Sequence, residues 1–348
     1  TTVQHAPPAR SLTSQRAPST PLEGTQLHVL AWGDDGVGQC LGGARSSAAS
    51  YVPRPSLVRI PPGKADFLQI GAGWEQSFLV AGSGALWAGG SNRAGCLSSG
   101  DLEHVLGVRP IDREDAEDLR AAAIVAGREH FIAIQSDGSS LLTWGCSNEF
   151  GQTGQGDDRV GLTACSLRSF AVQPGVKIHA VACGQDHALA LTERGQVFAW
   201  GDNMSGQLGR SAKTTTPSVP TPQHVEAGAL RGLPVRQIAA GAQHSLVIGI
   251  SGQVVAWGCN RHGRLGLGQA YDAVDIVSLP TSVADMAGGV RSVSGGGRHS
   301  AVVLRKGVVL LAGDNRQGQL GHDPDILQWS GSFLEIAEQT FTRQVRAI

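Results

Sequence analysis

The chain has 348 residues, of which 16% are charged, and its 28 basic and 29 acidic residues give a formal net charge of −1. A chain this close to neutrality generates no overall field that attracts nucleic acid or an anionic membrane. No apolar run approaches the roughly 20 residues of a membrane-spanning helix, so we expect no membrane insertion.

Residues 1–26 are rich in proline, serine and threonine. Such a composition cannot bury a core, so we predict a disordered tail over 1–26 and one folded region over 27–348. A chromatin-binding tail would carry more basic residues than Arg10 and Arg16. A transit peptide is an alternative, but the prolines interrupt the amphipathic helix it would need.

From residue 27 onward, one motif recurs six times: an apolar run, then Trp-Gly or Ala-Gly, then polar residues and a second glycine. Residues 197–209 and 255–266 are the clearest copies. Successive copies of the second glycine are 55 to 57 residues apart, at Gly38, Gly95, Gly151, Gly206, Gly263 and Gly318. A constant period of this length predicts one supersecondary unit, repeated so that each copy buries its apolar face on its neighbours.

A second motif, Gly-x-x-His, alternates with the first, and its histidine position recurs at the same period. That position holds Gln76, His130, His187, His244 and His299. Short apolar runs follow, broken by polar residues and glycine, which is typical of β-hairpins. One segment departs from this pattern: residues 114–123 contain helix formers, so we predict a short helix there. The acidic cluster 112–118 is a solvated loop or a contact for a basic partner.

Four strands per repeat, arranged radially, predict an all-β fold, a β-propeller with six visible units of about 55–57 residues. A solenoid is the alternative geometry. The chain begins on an outer hairpin at 27–33, with no Gly-x-x-His strand before it, and ends on residues 342–348, which look like the run preceding that motif. We therefore predict that the last and first half-units share one blade.

Both motifs, their order and their period resemble the repeat family of the regulator of chromosome condensation over residues 27–348. The resemblance implies a propeller, which in this family usually has seven blades. The chain departs from the pattern where Ala88-Gly89 and Ala312-Gly313 replace Trp-Gly. The Trp-Gly pairs themselves, which we interpret as structural, are Trp32-Gly33, Trp144-Gly145, Trp200-Gly201 and Trp257-Gly258.

The repeat histidines His130, His187, His244 and His299 are also interpreted as structural. One histidine per blade forms a ring rather than a converging zinc site, so we expect each imidazole to satisfy backbone groups of the adjacent blade, and we expect no metal and no cofactor. The six cysteines contain no Cys-x-x-Cys pair and are predicted to be reduced, which indicates cytoplasm, nucleus or both. They are Cys40, Cys96, Cys146, Cys165, Cys183 and Cys259.

The two residues before each repeat histidine differ from copy to copy, and in a propeller that turn emerges on one face. Variation there is typical of a partner-binding surface, although uncommitted solvated loops explain it equally well. The predicted partner-binding residues are Trp74, Glu75, Arg128, Glu129, Gln185, Asp186, Gln243 and Arg298.

The residues favour a protein-interaction scaffold rather than an enzyme, with a protein partner. The resemblance adds an alternative, guanine nucleotide exchange on a Ran- or Rab-like small GTPase, because Asp186 matches an aspartate that is important for exchange in one member. A chromatin-associated binder is a third alternative, although neutral charge makes nucleic acid an unexpected partner. The plant ultraviolet-photoreceptor branch uses clustered tryptophans on this face, where this chain has only Trp74.

Overall fold

A computed structural model shows an all-β chain of antiparallel sheets. It describes residues 29–34, 40–41, 51–58, 67–92, 97, 105–111, 120–156, 168–210, 217–284, 286 and 289–336. Within these residues there are five four-stranded sheets and one two-stranded sheet. The predicted tail 1–26, the acidic cluster 112–118 and the C-terminal run 342–348 lie outside the described residues, as do Cys96 and Cys165.

The strands follow one another along the chain, and each four-stranded sheet is built from four consecutive strands. The first two sheets comprise β1 (Leu30–Asp34) and β2 (Tyr51–Leu57), then β3 (Phe67–Ala72), β4 (Gln76–Ala81), β5 (Leu86–Gly90) and β6 (Val105–Pro110). The third and fourth comprise β7 (Ala121–Ala126), β8 (His130–Gln135), β9 (Leu141–Gly145) and β10 (Arg168–Phe170), then β11 (Ile178–Cys183), β12 (His187–Thr192), β13 (Val197–Asp202) and β14 (Ser218–His224). The last two comprise β15 (Val235–Ala240), β16 (His244–Gly249), β17 (Val254–Cys259) and β18 (Ile276–Ser282), then β19 (Val290–Gly295), β20 (His299–Leu304), β21 (Val309–Asp314) and β22 (Trp329–Glu335).

Helical structure among the described residues is limited to three short 3-10 segments, Gly228–Leu230, Arg261–Gly263 and Gln269–Tyr271. The predicted helix over 114–123 is wrong at its end, because Ala121–Ala123 begin β7 and pair with β8. Alanine is a good helix former, but the pairing with β8 and burial of Ala121 override that local preference.

The chain divides into two compact units, unit one (residues 1–147 and 160–171) and unit two (148–159 and 172–348). In unit one, Phe78, Phe131 and Trp144 pack together with ring centroids 4.7 to 6.0 Å apart. In unit two, every residue of β12, β13, β16 and β17 is buried. The middle strands of the four-stranded sheets therefore carry the core, as continuous apolar runs predict.

Strand pairing fixes which edge of each sheet carries the sequence motifs. In an antiparallel meander, the turn between the first and second strands and the connection between the third and fourth strands lie at the same end of the strands. We call this the motif edge of each sheet; its turns are 73–75 and 127–129 in the sheets of unit one, and 184–186, 241–243 and 296–298 in those of unit two. The opposite hairpin edge carries the turns 82–85, 136–140, 193–196, 250–253 and 305–308.

Pairing also corrects the alignment of one repeat. His187 pairs with Gly201 and Ala188 with Trp200, whereas Gln76 pairs with Gly90 and Ser77 with Gly89. The second Trp-Gly position is therefore Gly89-Gly90, and the predicted Ala88-Gly89 is wrong by one residue. The missing indole is replaced by Leu41, because a methyl group on Gly89 would overlap the Leu41 side chain.

The replacement of the indole by the Leu41 side chain explains the unusual backbone conformation of Leu41. Leu41 is 2% exposed and has a φ of 58°, a left-handed conformation that favours glycine. Its counterpart in a later repeat is Gly209, where an added Cβ would lie 2.9 Å from Nε1 of Trp257. In the repeat with tryptophan, the indole leaves room only for glycine in the turn. In the repeat with Gly89, the side chain of Leu41 fills the space of the missing indole, and its burial offsets the strain of its left-handed backbone.

Candidate functional site

The Gly-x-x-His and Trp-Gly motifs are joined by hydrogen bonds in unit two. Nε2 of His244 lies 2.9 Å from Oγ of Ser300 in the next sheet, and that hydroxyl donates to the carbonyl of Arg264 at 2.6 Å. Because the hydroxyl has one proton, the His244 ring donates through Nε2. The predicted contact with backbone of the adjacent blade is thus reached through a serine.

The same relay recurs one repeat earlier. Nε2 of His187 lies 3.1 Å from Oγ of Ser245, which donates to the carbonyl of Gln207 at 2.8 Å. The indole of Trp257 donates to that carbonyl as well, also at 2.8 Å. Each of these side chains is fully buried, so the relay ties neighbouring sheets together at their motif edge.

The relay explains why glycine precedes the histidine by three residues. A methyl group on Gly184, Gly241 or Gly296 would overlap the imidazole of the histidine that follows it. Burial and the neighbouring charge of Arg264 hold the pKa of His244 well below its ordinary value, so the ring is neutral. A neutral, donating imidazole serves structure here, and among the described residues no three His, Cys, Asp or Glu side chains are grouped to hold a metal.

The described cysteines include both free thiols and a disulfide-bonded residue. Cys40, Cys183 and Cys259 are free, and burial raises the pKa of the Cys183 thiol, which keeps it protonated and unreactive. Cys146 is disulfide-bonded, so the prediction that all six cysteines are reduced is wrong at this position.

In unit one, the turns of the motif edge present a large exposed indole beside mixed charges. Trp74 is 62% exposed, while Glu75, Arg128 and Glu129 are half-buried. His130, which ends the second turn, is fully buried. The residues before the histidine position therefore face outward to different extents, and the histidine position faces the core.

In unit two, three turns of the motif edge form a continuous hydrogen-bonded row. The amide of Gln185 donates to the carbonyl of Ala242 at 3.0 Å, and the amide of Ala242 donates to the carbonyl of Gly296 at 3.1 Å. Gln185 and Gln243 are half-buried and Arg298 is exposed. Asp186, the exchange candidate, is only 7% exposed, so its carboxyl offers little surface to a partner.

Next to this row lies a group of basic residues that sequence reasoning missed, apart from Arg298. We call it the basic patch; it comprises Arg261, His262, Arg264, Arg298 and Arg316. Asp314 accepts two hydrogen bonds from the guanidinium of Arg316, at 2.8 and 2.9 Å, and one from its backbone amide at 3.1 Å. It lies 3.7 Å from Arg298. The hydrogen bonds from Arg316 hold the pKa of Asp314 well below its ordinary value, so this carboxylate is charged.

Arg264 is the exception within the basic patch, because it is buried at 4% exposure. Its guanidinium donates to the carbonyls of Arg261 at 3.1 Å and Gly297 at 3.3 Å. Among the described ion pairs, none includes Arg264. Burial lowers its pKa, and the positive charges of Arg298 and Arg261 act in the same direction, against the negative charge of Asp314.

Comparison with the preceding repeat shows what Arg264 has lost. There Gln207 occupies the equivalent position and donates to Asp202 at 2.7 Å. In the Arg264 repeat, the position of Asp202 is held by Cys259. Between these two repeats, the change from Gln to Arg therefore accompanies the loss of the neighbouring acid. Aligning the two repeats in the sequence is enough to detect both changes.

The sheets and their two motifs define a class, the repetitive all-β chains that form β-propellers. The chain matches the RCC1-like domain over residues 26–347 and belongs to that family, which confirms the resemblance seen in the sequence.

Among its relatives, the probable E3 ubiquitin-protein ligase HERC6 of Homo sapiens is 34% identical over 75% of this chain and 24% of its own length. The ultraviolet-B receptor UVR8 of Arabidopsis thaliana is 30% identical over 76% of this chain and 57% of its own length. The chain thus spans about a quarter of the first relative and somewhat over half of the second.

Solved structures share the fold at lower identity. Human WBSCR16 aligns with a TM-score of 0.74 at 23% identity, covering 89% of this chain and 79% of its own. Prp20p of Saccharomyces cerevisiae aligns with a TM-score of 0.55 at 21% identity, covering 91% and 87%. No helix among the described residues is long and apolar enough to cross a membrane.

Proposed function

We propose that this chain is a protein-interaction scaffold that binds partner proteins through the turns of its motif edge. One observation carries the proposal: in unit two, backbone hydrogen bonds hold three turns in a fixed row, while the side chains they present differ from turn to turn. A uniform framework with divergent, rigid turns lowers the entropy cost of binding and leaves specificity to the side chains.

The comparisons support protein partners in general terms. Prp20p, which shares the fold, has binding properties to Gsp1p and histones. HERC6 and UVR8 place a related region inside a longer protein. We propose a protein partner encountered in the nucleus, the cytoplasm or both, and a role for the chain in holding that partner rather than in transforming it.

Affinity capture with matched variants tests the proposal. The wild-type chain, a motif-edge variant (Trp74→Ala with Gln243→Ala) and a hairpin-edge variant (Arg194→Ala) are compared by quantitative mass spectrometry. We expect the motif-edge variant to lose the captured partners and the hairpin-edge variant to keep them. Equal loss in both variants, or loss only in the hairpin-edge variant, contradicts the proposal.

Guanine nucleotide exchange is the second candidate, since Asp186 lies in the turn that the resemblance identifies. Its burial does not favour direct contact with a GTPase. An exchange assay distinguishes the two functions, because a scaffold leaves the rate of nucleotide release unchanged.

A further inference from the structure

The basic patch of unit two carries positive charge that its own carboxylates do not neutralise. Among the described residues, Arg264, Arg298 and Arg316 lie near one carboxylate, Asp314, which bonds to Arg316 and lies 3.7 Å from Arg298. The fourth arginine of the patch, Arg261, lies 3.5 Å from Asp275. The side chains of Arg298 and Arg316 are 62% and 45% exposed. With Arg261, which is also exposed, three accessible guanidinium groups therefore belong to the same patch as the buried Arg264, which has no described ion-pair partner.

We propose that the basic patch binds an acidic segment of a protein partner, with Arg298 contacting its carboxylates and the charges of Arg316 and the buried Arg264 attracting the segment. This inference rests on the proposed scaffold function and names the chemistry of the partner. The hydrogen bond from Arg264 to the carbonyl of Gly297 places the buried guanidinium directly against the turn that presents Arg298.

The patch contains one guanidinium–carboxylate pair of the kind proposed for the partner. Arg316 holds the carboxylate of Asp314 through two parallel N–H donors, the geometry in which guanidinium groups bind carboxylates. Arg298 lies too far from Asp314 for a hydrogen bond, at 3.7 Å, so its donors are available to another acceptor. A carboxylate bound between Arg298 and Arg264 would reduce the excess positive charge of the patch.

Arg264 has no ion pair among the described residues, which argues for a ligand rather than for stability. A buried cation that has no ion-pair partner of its own destabilises the fold that contains it. The repeats offer a neutral alternative at this position, because Gln152, Gln207 and Gln319 follow the second glycine where Arg264 does. Arginine in place of glutamine therefore lowers the stability of the fold locally, and a bound acidic segment would offset that loss.

His262 lies within the same patch and supports this assignment. It adopts a left-handed conformation with φ 61°, and its Nδ1 is buried with no hydrogen-bond partner. Burial lowers the pKa of His262, and the charges of Arg316, Arg264 and Arg298 act in the same direction, against that of Asp314. A docked carboxylate would raise this pKa, which provides a spectroscopic report of binding.

Fluorescence anisotropy with a labelled peptide of alternating glutamate and glycine tests the inference, with the matching glutamine–glycine peptide as the neutral control. We expect binding to the wild-type chain at 50 mM salt that weakens strongly at 500 mM. Arg298→Ala should weaken it about five- to tenfold and Arg264→Gln about three- to tenfold. Arg194→Ala, which removes the same charge from the hairpin edge, should leave it within twofold.

Arg264→Gln also separates a binding role from a structural one. We expect its melting temperature to equal or exceed that of the wild type, since it removes an unbalanced buried charge. A lower melting temperature would show that Arg264 serves the fold, and equal affinity for the charged and neutral peptides, or undiminished affinity in Arg298→Ala, would overturn the inference. Tighter binding of a 20-base-pair DNA duplex than of the acidic peptide would do the same.

The scaffold proposal does not depend on the acidic-segment inference. If Arg298→Ala and Arg264→Gln still capture the partners that the Trp74→Ala, Gln243→Ala variant loses, only the acidic-segment inference is wrong. If all three variants capture partners as the wild type does, the proposed function is wrong as well.

Discussion

Replacing Ser300 with alanine removes a single hydroxyl on which two buried groups depend. The Ser300 hydroxyl lies 2.9 Å from Nε2 of His244 and 2.6 Å from the carbonyl of Arg264, and His244 and Ser300 are both fully buried. The variant leaves a ring N–H and a carbonyl without this partner, each of which costs about 1–3 kcal/mol. Part of that is recovered because the hydroxyl itself no longer needs desolvation.

We therefore expect Ser300→Ala to lower the free energy of unfolding by about 2–4 kcal/mol. Chemical denaturation followed by tryptophan fluorescence measures this, with Ser251→Ala on the exposed hairpin edge as a control that should change it by less than about 0.5 kcal/mol. In a double-mutant cycle, His244→Gln and Ser300→Ala should couple by about 1–2 kcal/mol. A Ser300→Ala variant as stable as Ser251→Ala, or a coupling near zero, would refute the relay.

Three further predictions follow from the motif geometry. Gly296→Ala should destabilise the fold, since its methyl group overlaps the imidazole of His299, whereas Gly297→Ala next to it meets nothing within 4 Å; equal melting temperatures for the two variants would contradict the packing argument. Stability should be full above the ordinary histidine pKa of about 6.5 and fall as pH drops below it, because the unfolded chain takes up a proton that folded His244 resists; the slope, up to about 1.4 kcal/mol per pH unit for one such ring, should flatten in His244→Gln. In a nucleotide-release assay on a panel of small GTPases, catalytic amounts of the chain should leave the rate unchanged, and an acceleration that Asp186→Ala abolishes would replace the scaffold with an exchange factor.

Much of the fold could be predicted because a period in sequence directly reports a repeated unit in space. The strands, their order and the family follow from the positions of glycine, histidine and tryptophan. Alignment by motif letters was wrong at Gly89-Gly90, since pairing with Gln76 and Ser77 fixes the register. The compensation by Leu41 could not be foreseen, because it depends on a contact between residues 48 positions apart.

The candidate site could be predicted only in part. The turns before the histidine position stood out because they vary, and Arg298 belongs to both that set and the basic patch. Arg264 and Arg316 were missed because they belong to the glycine-rich turns, whose composition suggests only turn geometry. Their grouping around Asp314 requires three separate connections to meet at one edge, which spacing along the chain does not report.

Site-specific photocrosslinking tests the central claim most directly. A photoreactive side chain is placed at Gln243 on the motif edge or at Ser251 on the hairpin edge of the same sheet, and the two chains are irradiated with captured partners. The account predicts covalent adducts to a partner protein from position 243 and none from position 251. Adducts from position 251 alone, or equal yields from both, would contradict it.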